Sequence, residues 1–191
     1  MRVEAPALMS MLRGLIAAPT VSSLQPETDQ GNRALIDLLA HWLADAGFRV
    51  EIMDVPGHPG KANLIATLGS GPGGLVLSGH TDTVPYDASR WNHDPFRLTE
   101  DGGLLYGLGT SDMKAFLGLA IEAARGLEAK DLKQPLIILA TADEESSMSG
   151  ARALVDAHRP LGRYAVIGEP TSLRPVRLHK GVLREPARPL G

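Results

Sequence analysis

Leu75-Val76-Leu77-Ser78-Gly79-His80-Thr81-Asp82 decides how this chain folds. A short apolar run comes after the glycine-rich turn Gly71-Pro72-Gly73-Gly74. It predicts a strand over 74–78, of the kind buried on both faces of a sheet. Polar chemistry begins where the strand stops, at His80-Thr81-Asp82. The same order recurs twice. Ile137-Ile138-Leu139-Ala140-Thr141 leads to Asp143-Glu144-Glu145, and Ala165-Val166-Ile167-Gly168 leads to Glu169-Pro170-Thr171.

Helical patterns lie between these strands. Leu8, Met9, Leu12, Leu15 and Ile16 recur at helical spacing behind Pro6, which suits a first turn. A longer helix is predicted over 28–46, with the stripe Leu35, Leu38, Leu39, Trp42, Leu43, Ala46 and a stop at Gly47. Strands are expected over 48–55 and 63–68, and a hairpin over 96–106 turning at Asp101-Gly102-Gly103. A helix is expected over 112–128, a central strand over 136–141, and a helix capped by Ser149 and ending at Ala157. Further strands are expected over 164–167 and 176–179. Strands alternating with helices give an α/β domain, a three-layer αβα arrangement on a largely parallel sheet.

Composition sets the limits. At 191 residues, 43% hydrophobic and 21% charged, the chain matches an ordinary globular domain and excludes disordered and collagen-like classes. A net charge of −3 argues against a nucleic-acid or anionic-membrane partner, which needs clustered Lys and Arg. There is no cysteine, so any metal must be held by His, Asp, Glu and water. The apolar stretch near the N-terminus is broken by Arg13, and the run 135–142 is far too short to span a bilayer. The expectation is a cytoplasmic protein.

In open α/β sheets the carboxyl ends of the strands meet at one crevice. His80, Asp112, Glu144, Glu145 and Glu169 are therefore expected to converge. Asp112 comes from Gly109-Thr110-Ser111-Asp112-Met113-Lys114, the turn that opens a helix. Crowded carboxylates repel, and one or two divalent cations would offset that. One imidazole with several acids suits zinc, cobalt or manganese. Asp82, two residues beyond His80, is placed to fix its tautomer. Of the doublet Glu144-Glu145, one can ligate while the other serves as general base. Taken singly, each residue has a plainer reading. Asp112 is a favourable charge at a helix start with Thr110 or Ser111 as cap, Glu144-Glu145 a solvated loop, Glu169-Pro170 a turn. Competing motifs fail on their own terms. Gly71-Pro72-Gly73-Gly74 lacks the Lys-Ser/Thr of a phosphate loop, Gly107-Leu108-Gly109 lacks a third glycine, and neither Ser78 nor Ser111 sits in a nucleophile elbow.

Five stretches in order resemble the dinuclear zinc aminoacylase/carboxypeptidase family, the M20 metallopeptidases. They are residues 78–85 (Ser-Gly-His-Thr-Asp-Thr-Val-Pro), 94–96, 105–114, 141–146 and 168–171. The resemblance runs from about residue 8 to residue 181. Residues 109–114 and 175–181 look like the branch that acts on N2-acetyl-L-ornithine. The resemblance implies two divalent ions, zinc or cobalt. His80 and Glu169 would hold one, Asp112 would bridge, and Glu145 would hold the second. Asp82 would orient His80, Glu144 would be the general base, and Asp112-Met113 would be a cis peptide. It also implies a small N-acyl amino acid substrate, and arginine biosynthesis as the setting. Succinyl-diaminopimelate or a dipeptide is the alternative substrate.

Members of that family are about twice as long, with a lid and dimerisation domain after the stretch at 175–181 and a late His for the second metal. The resemblance therefore implies that residues 1–181 are the first part of the metal-binding catalytic domain. Residues 182–191, with Arg184, Pro186, Arg188 and Pro189, read as an irregular tail where the lid would begin. On this reading the chain is cut before the lid through which a homodimer would form, and the alternative is a catalytically silent metal-binding fragment.

Overall fold

The computed structural model describes residues 5–178. Two helices lead. α1 spans Leu8–Ala17 and buries Met11, Leu12, Leu15 and Ile16, the stripe that the spacing predicts. α2 spans Arg33–Asp45 and buries Leu35, Ile36, Leu39, Trp42 and Leu43. It starts later than the sequence pattern suggests. Thr28 N–H bonds to the Gln25 carbonyl in a turn, and the Asn32 side chain donates to the Ala62 carbonyl (2.8 Å) and to Thr81 Oγ1 (2.7 Å). Residues 25–29 are thus held in a turn and Asn32 is tied to Ala62, which delays the helix to residue 33. Gly47, at φ +90°, ends the helix in a conformation that favours glycine.

The strands are β1 (Arg49–Asp54), β2 (Ala62–Leu68) and β3 (Leu75–His80), then the hairpin β4 (Thr99–Asp101) and β5 (Leu104–Tyr106), then β6 (Leu136–Thr141) and β7 (Tyr164–Ile167). α3 spans Lys114–Ala123 and α4 spans Ser149–Asp156. The main sheet has the order β1-β2-β6-β3-β7. β3 pairs in parallel with β6 and β7, while β1/β2 and β2/β6 are antiparallel. The expected α/β fold stands, but its sheet is mixed and not largely parallel. The loop 55–61 between β1 and β2 is too short for the crossover of about a dozen residues that a parallel pair requires.

Both faces of the sheet are covered, which gives the three layers. Leu64, Ala66, Ile138 and Ala140 lie in one core with residues of α1, α2 and α3. Ile65, Val76, Ile137 and Leu139 lie in a second with Leu154 of α4. Alternate residues of β2 and β6 thus face opposite layers, as the two-residue period of a strand dictates. Each fully buried Leu or Ile contributes about 1.5–3 kcal/mol. β7 is the far edge, with Tyr164, Val166 and Ile167 exposed.

Other elements differ from expectation in detail. α3 begins after residue 113 because the chain before it forms the site loop. α4 has Met148 at its cap position, in the left-handed region at φ +56°, while Ser149 Oγ donates to Asp143 instead of capping. Residues 176–178 form no strand. His179 and the tail at 182–191 lie outside the described residues. Among the described residues no helix is long and apolar enough to cross a membrane.

Candidate metal centre

Parallel pairing brings three strand ends side by side. His80 is opposite Thr141, and Ser78 is opposite Ile167. The segments beyond these ends (Asp82, the loop with Glu144 and Glu145, and Glu169) therefore open on one crevice. Asp112 enters from the loop before α3.

His80 is buried at 2% exposure. Its Nδ1 lies 2.9 Å from the Asp82 carbonyl oxygen and 3.5 Å from Asp82 Oδ1. Its Nε2 lies 3.1 Å from Asp112 Oδ1 and 3.9 Å from Glu169 Oε1. Burial disfavours the imidazolium, but Asp82, Glu169 and Asp112 outweigh it and push the pKa up to about 9. Nδ1–H donates to Asp82, which leaves Nε2 as the atom facing the acids.

Asp82 has a second task that the sequence did not reveal. Its Oδ1 accepts the Glu144 backbone N–H at 3.1 Å, and its Oδ2 accepts that of Glu145 at 3.0 Å. The Asp82 carboxylate thus anchors the loop carrying the two glutamates, while its main-chain carbonyl accepts from the His80 imidazole and its charge lies 3.5 Å from the ring.

Two trios result. In one, ligand atoms of His80, Glu144 and Glu169 lie within 4.8 Å of one another; in the other, those of His80, Asp112 and Glu145 do. All five residues expected at the crevice meet there. His80 falls with Glu169 in one trio and Asp112 with Glu145 in the other; Glu144 joins the first and His80 is shared by both. Burial pushes Glu145 up to about 7, helped by Asp112 and opposed by His80. Glu169 is raised for the same reasons, burial first. Glu145 and Glu169 thus hold their protons more tightly than free carboxylates, and divalent cations are the natural replacement for those protons. One imidazole and four acids, all hard or borderline donors, fit such ions.

Nearby groups hold the scaffold. The Asp112-Met113 peptide is cis, as expected from the resemblance. Neither Thr110 nor Ser111 caps α3, and Thr110 Oγ1 donates to the Gly107 carbonyl. Lys114 is fully buried, its Nζ donating to the Ala18 carbonyl at 2.7 Å and to the Leu15 carbonyl at 3.4 Å. Burial lowers its pKa to about 8, partly offset by Asp82. Asp143, the first of the three consecutive acids, points away from both trios. It meets Lys61 Nζ at 2.5 Å, and Lys61 also donates to Asp29 at 2.8 Å. Burial opposes both charges. Their mutual attraction, with Asp29 on one side and Ser149 and Ser22 on the other, still raises Lys61 and lowers Asp143. Nothing in the sequence pattern marked Lys61, because a lysine in a short loop is ordinarily solvated.

The sequence profile of the peptidase family M20/M25/M40 matches residues 76–181, the stretch that contains both trios. The chain belongs to that family. Among M20 relatives it is 55% identical over 193 residues to an acetylornithine deacetylase of Proteus mirabilis (strain HI4320), covering 100% of this chain and 49% of that protein. It is 52% identical to one of Pasteurella multocida (strain Pm70), covering 97% and 49%. The chain thus spans about half the length of these relatives. By fold it is similar to an M20 family metallo-carboxypeptidase from Sulfolobus solfataricus, with a TM-score of 0.70 at 20% identity over 85% of this chain and 37% of that one. It is also similar to human carnosine dipeptidase 1, with a TM-score of 0.69 at 25% identity over 84% and 38%.

Proposed function

We propose that this M20 chain is the metal-binding part of an amide hydrolase that removes the acetyl group from N2-acetyl-L-ornithine, giving L-ornithine and acetate as a step of arginine biosynthesis. The observation that carries the reading is the pair of acidic trios sharing His80. The substrate rests on relatives at 50–55% identity that are named acetylornithine deacetylases.

In this reading His80, Asp112, Glu145 and Glu169 hold two divalent ions, zinc by preference and cobalt as a substitute. Bound there, such ions polarise an acyl carbonyl and lower the pKa of a water. Asp82 keeps Nε2 of His80 turned to the cluster. Glu144 accepts the proton of the attacking water and delivers it to the departing amine nitrogen as the amide C–N bond breaks. The homodimer and the grip on the substrate would come from the remainder of the relatives' length.

The test is acetate release from N2-acetyl-L-ornithine with added zinc, beside zinc stoichiometry, for the wild type and Glu144→Gln. The expected loss is about 10²–10⁴-fold in rate with stoichiometry unchanged. A variant as fast as wild type removes Glu144 from the chemistry, and loss of one zinc makes it a ligand, as its trio with Glu169 would allow. A second substrate class, dipeptides, is favoured by the likeness to human carnosine dipeptidase 1. Parallel rates on carnosine and on the acetyl amide decide between them.

A further inference from the structure

Three consecutive acids lie beyond β6, but only Glu144 and Glu145 reach the trios. Asp143 sits at φ +56°, in the left-handed region that a non-glycine residue enters at a cost. That conformation turns the chain so that the two glutamates face His80. Several contacts hold it there. Asp143 Oδ1 accepts Lys61 Nζ at 2.5 Å and Ser22 Oγ at 3.0 Å, and its Oδ2 accepts Ser149 Oγ at 2.7 Å. Its carbonyl accepts the Met148 N–H at 2.6 Å and closes the loop. Lys61 and Asp143 are 4% and 3% exposed, so this is a buried ion pair. Lys61 is itself anchored to Asp29, whose Oδ1 also accepts the Ser23 N–H.

We propose that Lys61 and Asp143 are positioning residues of the metal centre: the pair clamps the back of the 143–148 loop while Asp82 holds its front, so that Glu144 and Glu145 are presented to His80 in a fixed geometry. A buried pair of this kind is a weak contributor to stability, because desolvation cancels much of the attraction. Its value here is orientation. Outer contacts of this sort typically change metal affinity 10–100-fold when removed. The inference rests on the two-ion reading of the site.

The experiment is zinc titration against a chromogenic chelator, run with thermal unfolding. The variants are Lys61→Met/Asp143→Asn, which removes both charges and keeps the Ser22 and Ser149 contacts, and Lys61→Arg. The double variant is expected to unfold within a few degrees of wild type and to bind zinc 10–100-fold more weakly. Lys61→Arg is expected to recover most of that affinity. A folded double variant with wild-type affinity overturns the inference. If the double variant does not fold, Asp143→Asn alone is titrated, and wild-type affinity there overturns it equally. A wild-type chain that binds neither zinc nor cobalt overturns the two-ion reading, and this inference with it.

Discussion

Replacing Asp82 by Asn would separate its two tasks from mere space-filling. The carboxylate accepts two backbone N–H groups, one on each oxygen, at 3.1 and 3.0 Å. An amide of the same shape has one carbonyl oxygen, so it can accept one of them, and its NH2 then faces the other donor. The loss is one charge-assisted hydrogen bond, about 1.5–3 kcal/mol. For a domain of this size each kcal/mol moves Tm by about 2–4 °C, so a fall of about 3–12 °C is expected. His80 would lose its negative neighbour and the Glu144–Glu145 loop half its anchor, so zinc affinity should fall about 10–100-fold. Differential scanning calorimetry and zinc titration measure the two effects. The surface pair Arg13–Glu100, with side chains 56% and 58% exposed, supplies the control, since Arg13→Ala should cost under about 1 kcal/mol. An Asp82→Asn protein that melts with wild type and binds zinc within threefold of it would refute the double role.

The remaining predictions bear on ions, loop and core. His80 is raised to about 9 and Glu145 to about 7, so without added ions the folded state holds these protons more tightly than the unfolded chain. The stability they contribute is complete below their ordinary values, about 6.5 and 4.3, and is lost as pH rises through the raised ones. Zinc takes the place of the protons, so its Tm increment should be larger at pH 8.5 than at pH 6; an equal or smaller increment at pH 8.5 refutes this. In Gly150→Ala the new methyl would meet Asn63 Oδ1 and, at 2.6 Å, the backbone N and O of Ala142. Both stability, by about 1–3 kcal/mol, and zinc affinity should fall, as read by denaturant unfolding and titration. Leu39→Ala, at 0% exposure in the core under the sheet, should cost about 2–5 kcal/mol while zinc stoichiometry stays unchanged in the folded protein.

Much of the architecture is written in local patterns. The stripes of α1 and α2, the apolar runs of β3 and β6 and the Gly102-Gly103 turn are each decided by neighbours a few residues apart, so periodicity predicts them. Convergence of His80, Glu144, Glu145 and Glu169 is also legible in the sequence, given that polar residues after parallel strands share one sheet edge. The antiparallel β2/β6 pairing was not legible in the strand patterns alone, because strands buried on both faces look the same in either direction. Nor was the division of labour among the acids. Asp82, Asp112, Asp143, Glu144, Glu145 and Glu169 are chemically near-identical in a sequence, and which one faces His80 depends on donors 62 to 121 positions away: the N–H groups of Glu144 and Glu145 for Asp82, and Lys61 and Ser22 for Asp143. Hydrogen bonds act over about 3 Å, so their partners are chosen only once the sheet has brought distant segments together.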